Sequence, residues 1–405
     1  MAAQRFKAAA SFQLNAQGGT LHPMSKARIV ILTALVLLLF TQVLSVSAQT
    51  EEDETAVRNL AIISDGEHPG DTITYTLVGV EQPGAGRVLQ GWLVTDNGVA
   101  RLSTGTMTVG ASGTLNHTYV SPTGENLLQR YSKIEITLEP VPDPSPNSPS
   151  KQAIWSAKIP FQAVNDVRSL LDSWSTLSEN GSLIGLRKEL AIALSEAQLA
   201  QTSTTLEELQ DHIQKAINVI EGSGGTNYSP EANDSGDGVG VLTYAATSRS
   251  HAVTAAADAP DNPEAVMHGA GIQTTISNVD GWVREARDQA LVVLVTDELV
   301  AAKIQTTPMI GLLNGALNGI DTDGDSVIRA TPGEGGAAQA YREAQFMATL
   351  VFQPGGLPRP IDLGPGLPST GDSTLAMLPL AGLAIAGILT GLGTFFLIRK
   401  RRAFS

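Results

Sequence analysis

The chain has no cysteine. Disulfide staples, thiolate nucleophiles and cysteine-bound metals are therefore excluded, and the fold must hold by packing, helped at most by an oxygen-bound cation. Basic residues are also scarce, 26 against 40 acidic, for a net charge of −14. Four of the basic residues precede the first apolar run and four follow the last. The stretch between, residues 49–371, holds 39 acidic residues and only 18 basic ones. Such a balance argues against nucleic acid and anionic lipid as partners, and suits solubility and cation binding. Catalytic signatures are missing too: there is no HExxH, GxSxG, P-loop or GxGxxG. His68 sits in a Gly/Pro turn and His117 in a strand pair, while His212, His251 and His268 fall on predicted helices without a ligand at i+4. They are expected to be structural, and His22 to leave with the leader. Glu189 and Glu196 lie seven apart on one predicted helix, the spacing of a solvated face. No catalytic residue is assigned, and no enzyme is expected.

What is present begins at the two ends. Lys26 and Arg28 precede an apolar run, Ile29 to Leu44, which closes on Val46-Ser47-Ala48. This is the pattern of a secretory signal peptide over residues 1–48, cut after Ala48, with Met24 as a start that gives ordinary length. The alternative is the same run kept as a signal-anchor helix. At the other end, Leu375 to Ile398 carries no charge. At about 1.5 Å per residue it reaches roughly 36 Å, enough for one transmembrane helix. The basic tail that follows, residues 399–405 with Arg399, Lys400, Arg401 and Arg402, marks the cytoplasmic side. A Pro/Gly-rich stalk, 353–371, precedes the span and ends in Leu367-Pro368-Ser369-Thr370-Gly371. Pentapeptide, span and basic tail in this order resemble the LPxTG sorting signal of sortase-anchored bacterial surface proteins. The resemblance implies cutting between Thr370 and Gly371, with sortase and the cell wall as partners. Without the cut, the span at 375–398 holds the chain in the membrane. Either fate places the bulk on the extracellular face.

Residues 57–163 read as strands. Thr72 to Val78 alternates β-branched and aromatic residues, and Val88–Thr95 is joined to Val99–Leu102 by the hairpin turn Asp96-Asn97-Gly98. Thr106–Val109 and Leu115–Val120 flank a second turn at Ser112-Gly113; Ile134–Leu138 and Ala153–Ile159 complete the set. Short strands with regular turns predict an antiparallel β-sandwich. Within it, Gly86-Arg87-Val88-Leu89-Gln90-Gly91-Trp92-Leu93-Val94, then Gly105, Val109, Ser112-Gly113 and Ile136-Thr137-Leu138-Glu139-Pro140, are similar to the extracytoplasmic domain of anti-sigma-K factors. The resemblance implies that Val141–Ser150, a linker by composition, is a loop before the last strand. It does not carry sigma binding, which that family assigns to a cytoplasmic N-terminal domain; here about 28 residues precede the apolar run. Trp92 is open to two readings, a sugar-stacking residue or, with more weight, a core residue.

From 164 to 352 the apolar period becomes helical: Val167–Leu177, Leu183–Leu199, a capped helix from Thr204/Thr205 to Ile220, then 246–258, 262–276, 280–303, 308–319 and 336–352. An echo at an offset of 100 pairs Ala191–Leu199, Thr204/Thr205 and Ala216–Ile220 with Leu291–Leu299, Thr306/Thr307 and Ala316–Ile320. It predicts two αα-hairpins stacked into one bundle. The loop after the second copy, Asp321-Thr322-Asp323-Gly324-Asp325-Ser326-Val327-Ile328, resembles the first half of an EF-hand calcium loop. Asp321, Asp323, Asp325 and the Val327 carbonyl are the candidate ligands, with Ile328 pinning the loop to the core. Ser326 replaces the usual glycine and Pro332 the usual bidentate glutamate; Glu334 substitutes only if the loop is longer. The alternative is a solvated acidic turn. The loop of the first copy, Asn233-Asp234-Ser235-Gly236-Asp237-Gly238, has fewer carboxylates.

The expected architecture is multidomain: an antiparallel β-sandwich, an all-α bundle with an EF-hand-like loop, and one C-terminal transmembrane helix. The expected function is a non-enzymatic surface protein, anchored by its C-terminus, whose β and α parts bind or space out an extracellular ligand or protein, with structural calcium as cofactor. The alternative is an envelope sensor related to anti-sigma systems, its readout passed to another membrane protein. A third reading, a metal-bearing enzyme, is disfavoured by oxygen-only ligands.

Overall fold

The computed structural model describes residues 59–172, 181–233 and 235–357. The leader, the stalk from residue 358 with its pentapeptide, and the 375–398 span lie outside the described residues. Among those described, no helix is long and apolar enough to cross a membrane.

Alternating sequence gives alternating burial. Strands β1 (Leu60–Ser64) and β2 (Thr72–Leu77) turn Ala61, Ile63, Ile73, Tyr75 and Leu77 inward, each at most 1% exposed. With β5 (Leu115–Val120) and the two-residue β8 (Leu350–Val351) they form a sheet in the order β5-β2-β1-β8. The second sheet, β4-β3-β6-β7-β9, comprises β3 (Arg87–Thr95), β4 (Arg101–Met107), β6 (Tyr131–Pro140), β7 (Ala153–Lys158) and β9 (Gln353–Pro354). All pairings are antiparallel.

Two strand expectations change. The Asp96-Asn97-Gly98 hairpin is present, but its second strand runs from Arg101 to Met107. The predicted hairpin across Ser112-Gly113 is instead a crossing between sheets: β4 pairs with β3 and β5 with β2. The turn at 110–114 is closed by Gly113 N–H on the Gly110 carbonyl (2.9 Å) and Gly110 N–H on the Thr114 carbonyl (2.7 Å). Gly91 stands where β3 bulges, and a Cβ there would lie 2.3 Å from Thr104 Oγ1, a buried hydroxyl that meets the Tyr75 hydroxyl.

Seven helices follow β7 among the described residues: α1 (Val164–Leu171), α2 (Ser182–Thr202), α3 (Leu206–Glu221), α4 (Val241–Asp258), α5 (Pro263–Leu294), α6 (Leu299–Asn318) and α7 (Ala337–Met347). The expected capping box is realised at α3, where Thr205 Oγ1 accepts the Glu208 N–H (3.2 Å) and Glu208 reaches back to the Thr204 N–H (2.8 Å). The predicted break near residue 278 is absent. Ile272, Ile276, Val279, Val283, Ala286, Ala290 and Val293 keep one buried face unbroken through Gly281, so α5 is continuous over 32 residues. The break falls at 295–298, and Thr306, Thr307 and Pro308 lie inside α6. The proposed helix at 336–352 ends at Met347 and continues as strand.

The repeat is legible in how the hairpins end rather than at a fixed offset. α3 stops at Gly222 (φ +73) and α6 at Gly319 (φ +87), both in the left-handed region that glycine tolerates. Each glycine abuts the glycine that opens the next helix: Gly222 meets Gly240 before α4, and Gly319 meets Gly336 before α7. In both pairs a Cβ would lie within 3.2 Å of the partner's backbone. Each half is thus a helix hairpin, a loop pinched at its neck, and a third helix.

The sheets and helices share one continuous buried cluster, from Ala61 through the helical residues to Phe352. Residues 350–354, at the far end of the chain from β1, complete both sheets.

Candidate functional site

The acidic loop grows out of α6. After Gly319, the Ile320 N–H bonds the Glu334 carbonyl (2.8 Å) and closes the neck. Gly324 (φ +81) and Ser326 (φ +69) take left-handed conformations, so the loop coils back on its own carboxylates. Asp321 accepts the N–H groups of Gly324 (2.7 Å) and Ser326 (2.9 Å), Asp323 that of Asp325 (3.1 Å), and Asp325 that of Val327 (2.8 Å). One carboxylate oxygen from each of Asp321, Asp323 and Asp325 lies within 4.8 Å of the other two. Among the described residues no other set of three His, Asp or Glu side chains converges this way. Oxygen donors at this spacing fit a hard divalent cation such as Ca²⁺.

The remaining candidates sit differently. Val327 is exposed, and Ile328, half-buried, lies against Gly319 at the neck of the loop and not among the core side chains. Glu334 is 3% exposed, outside the group of three; one carboxylate oxygen takes the Thr331 hydroxyl (2.5 Å) and the other has no hydrogen-bond partner. Arg329 supplies the loop's own positive charge, 2.6 Å from Asp325 and 3.7 Å from Asp323. Its hydrogen bond, followed by the Val327 N–H, holds the Asp325 carboxyl below the usual range. Sequence reasoning missed Asn278, which ties the loop to α5. Its amide donates to the carbonyls of Thr331 (2.8 Å) and Gly335 (3.0 Å) and accepts the Gly333 N–H (2.8 Å). A mid-helix Asn carries no signal of this role.

The first loop is held by the two glutamates expected to face solvent. Glu189 is fully buried and accepts the Asp237 N–H (3.3 Å). Glu196 takes the Ser235 hydroxyl (2.7 Å) and His212 Nδ1 (2.7 Å). Their seven-residue spacing therefore marks the α2 face that packs under the loop. Asp237 also accepts the Tyr244 hydroxyl (2.6 Å).

The helical histidines pair with carboxylates, mostly across helices. His251 meets Asp166 (2.7 Å), and His268 meets Glu343 (2.7 Å) and, within α5, Glu264 (3.4 Å). Trp92 is 1% exposed with its indole N–H on Thr137 (2.8 Å), so it is unavailable to stack a ligand from solvent. A groove of about 840 Å³ opens between β7, β9 and the α4–α5 turn. Lys158, Asp258, Asp261 and Gln353 line it without any nucleophile–base arrangement.

With the sheets in place, the relation of the β part to known proteins can be read. Residues 29–153 match the family model for "Anti-sigma-K factor rskA, C-terminal". The likeness to that anti-sigma-K factor region takes in β1 to β6 and begins at the first residue of the Ile29–Leu44 run. It stops at the start of β7, leaving the helices and the returning strands outside. No curated protein and no solved structure matches the chain.

Proposed function

We propose that the chain is an exported, non-enzymatic envelope regulator related to anti-sigma systems but without their sigma-binding domain, its folded body outside the membrane and its readout passed to another membrane protein. The observation that carries this reading is the anti-sigma-K factor match over residues 29–153. Because the match includes Ile29–Leu44, it supports retention of that run as an anchor rather than its loss as a leader. The regulator reading predicts that cells deprived of the chain show altered transcription from one coherent set of promoters. A transcript profile indistinguishable from that of the parent would sink it. The pentapeptide Leu367–Gly371 supports a competing fate, transfer of Thr370 to the cell wall by sortase. Mass spectrometry of the mature C-terminus separates the two: Ser405 for a membrane-held regulator, Thr370 bearing a wall fragment for a surface module.

A second reading concerns the acidic loop, favoured by the convergence of Asp321, Asp323 and Asp325. A structural Ca²⁺ there would relieve the repulsion among three carboxylates and fix the neck beneath α7. Chelation should then lower the melting temperature of the full chain, and Asp323→Ala should remove that sensitivity. A melt unchanged by chelator would reduce the loop to an acidic turn whose charge Arg329 offsets only in part.

A further inference from the structure

The last described residues hold both sheets at once, with few contacts each. β8 covers only Leu60 and Ala61 of β1, and β9 only Trp155 and Ser156 of β7. Around these rungs stand three further bonds: Phe352 N–H to the Asn59 carbonyl (2.9 Å), Gly355 N–H to the Ile154 carbonyl (2.7 Å), and Leu357 N–H to the Glu135 carboxylate (2.9 Å). Phe352, 5% exposed, is wedged between the sheets and stacks on Tyr75 at 6.2 Å. By contrast β3 and β6 share nine paired residues.

The direction of the strands matters as much as their length. Asn59 faces Phe352 in an antiparallel ladder, so the chain enters the body and reaches its last strands at one edge. A pull between the flanks before residue 59 and after residue 357 loads the β1–β8 rungs one after another, instead of shearing them together. Upstream, α7 is fastened by the Tyr341 hydroxyl and the Gln345 amide, both on Asp65 Oδ1 (2.9 Å each). Release of residues 350–357 can therefore stop at α7 and leave the helices packed.

We infer that residues 350–357 are a releasable strap: a load arriving from the C-terminal flank peels β9, Phe352 and β8 from the two sheets before any other element yields. The inference rests on the membrane-held reading for the origin of the load, but the strap itself is a property of the folded body. Because short, edge-placed elements open at low free energy, its amides should exchange with solvent by local opening, at least about tenfold faster than the amides shared by β3 and β6.

The absence of cysteine makes a clean test possible. Phe352 and Asn59 form a hydrogen-bonded pair, so Leu60 and Val351 form the neighbouring non-hydrogen-bonded pair, whose Cα separation of about 4.5 Å suits a disulfide. Amide exchange would be measured on the full chain and on the Leu60→Cys/Val351→Cys variant, oxidised and reduced. The expected result is fast exchange at Phe352, Gly355 and Leu357, with Phe352, next to the cross-link, slowed toward the β3–β6 rate only in the oxidised variant. Strap and β3–β6 amides exchanging together in the unmodified chain would overturn the strap. So would Phe352 exchange that the disulfide leaves unchanged. Neither result depends on whether the C-terminus is Ser405 or Thr370, so a failure here is distinct from a failure of the membrane-held reading.

Discussion

Arg168 reaches from α1 into the β part. It is 2% exposed, with Nε on the Leu128 carbonyl (2.6 Å) and both terminal nitrogens on Asp96 (2.7 and 2.9 Å). Removing the guanidinium leaves a buried carbonyl and a half-buried carboxylate without their donor. Arg168→Met should therefore cost about 2–4 kcal/mol, read as a lower denaturation midpoint. Burial pushes the Asp96 carboxyl up, but the Arg168 and Ser132 hydrogen bonds, with the charges of Arg168 and Lys133, hold it below its ordinary value. A carboxyl depressed in the folded state contributes its stability fully at neutral pH and loses it as pH falls through the folded-state titration. The gap between parent and variant should accordingly narrow in acid; a gap unchanged from neutrality to pH ~3 would mean that packing, not charge, carries the effect. Arg329 is the opposite case, a cation on an exposed triad of aspartates. If calcium binds the loop it must displace that side chain, so Arg329→Gln should tighten Ca²⁺ binding measured by titration calorimetry. Weaker binding in the variant would show that Arg329 organises the site instead of competing for it.

At the scale of elements, strands with alternating burial and helices with an apolar face were legible because each repeats its signal over several residues. Thr72–Leu77 and the α3 capping box are of this kind. The elements that could not be read carry no period. β8 and β9 are two residues each, and their role depends on β1 and β7, some 290 and 200 positions away. Likewise Asp280-Gly281 looks like a helix break, yet the buried face of α5 runs through it. In the candidate site the three aspartates could be seen because they are adjacent in sequence; Asn278 and Glu189 could not, because only the fold brings them to their loops. The returning strands also bear on where a stable fragment ends. A 50–163 fragment lacks β8, β9, α1 and Phe352, and with them the cover on Tyr75. It should unfold without the cooperative transition of a chain that runs to residue 357. In the full chain, Phe352→Ala should lower the melting temperature, but by less than the ~3–4 kcal/mol of a fully cooperative core ring would, because the strap opens without the rest. A loss of that full size would place Phe352 inside the cooperative core and count against a releasable strap.

For the whole molecule, charge and topology point the same way. Lys26 and Arg28 stand before the first apolar run and Arg399–Arg402 after the last, while the stretch between them is strongly acidic. Cations flanking apolar runs stay on the cytoplasmic side, so the membrane-held proposal expects both chain ends inside and the body outside. Within the described body, β1 starts opposite Phe352, so the chain enters it and leaves it at one edge. Because the chain lacks cysteine, single thiols report the topology directly. Ser145→Cys, in an exposed loop of the β part, should react with a membrane-impermeant maleimide on intact cells. Ser25→Cys and Ser405→Cys should react only after the membrane is opened. A membrane fraction whose chain has lost residue 25 would mean that the first run is a cleaved leader after all, leaving one anchor. Loss of residue 405 would mean transfer at Thr370, and then no load could reach the strap through a membrane span.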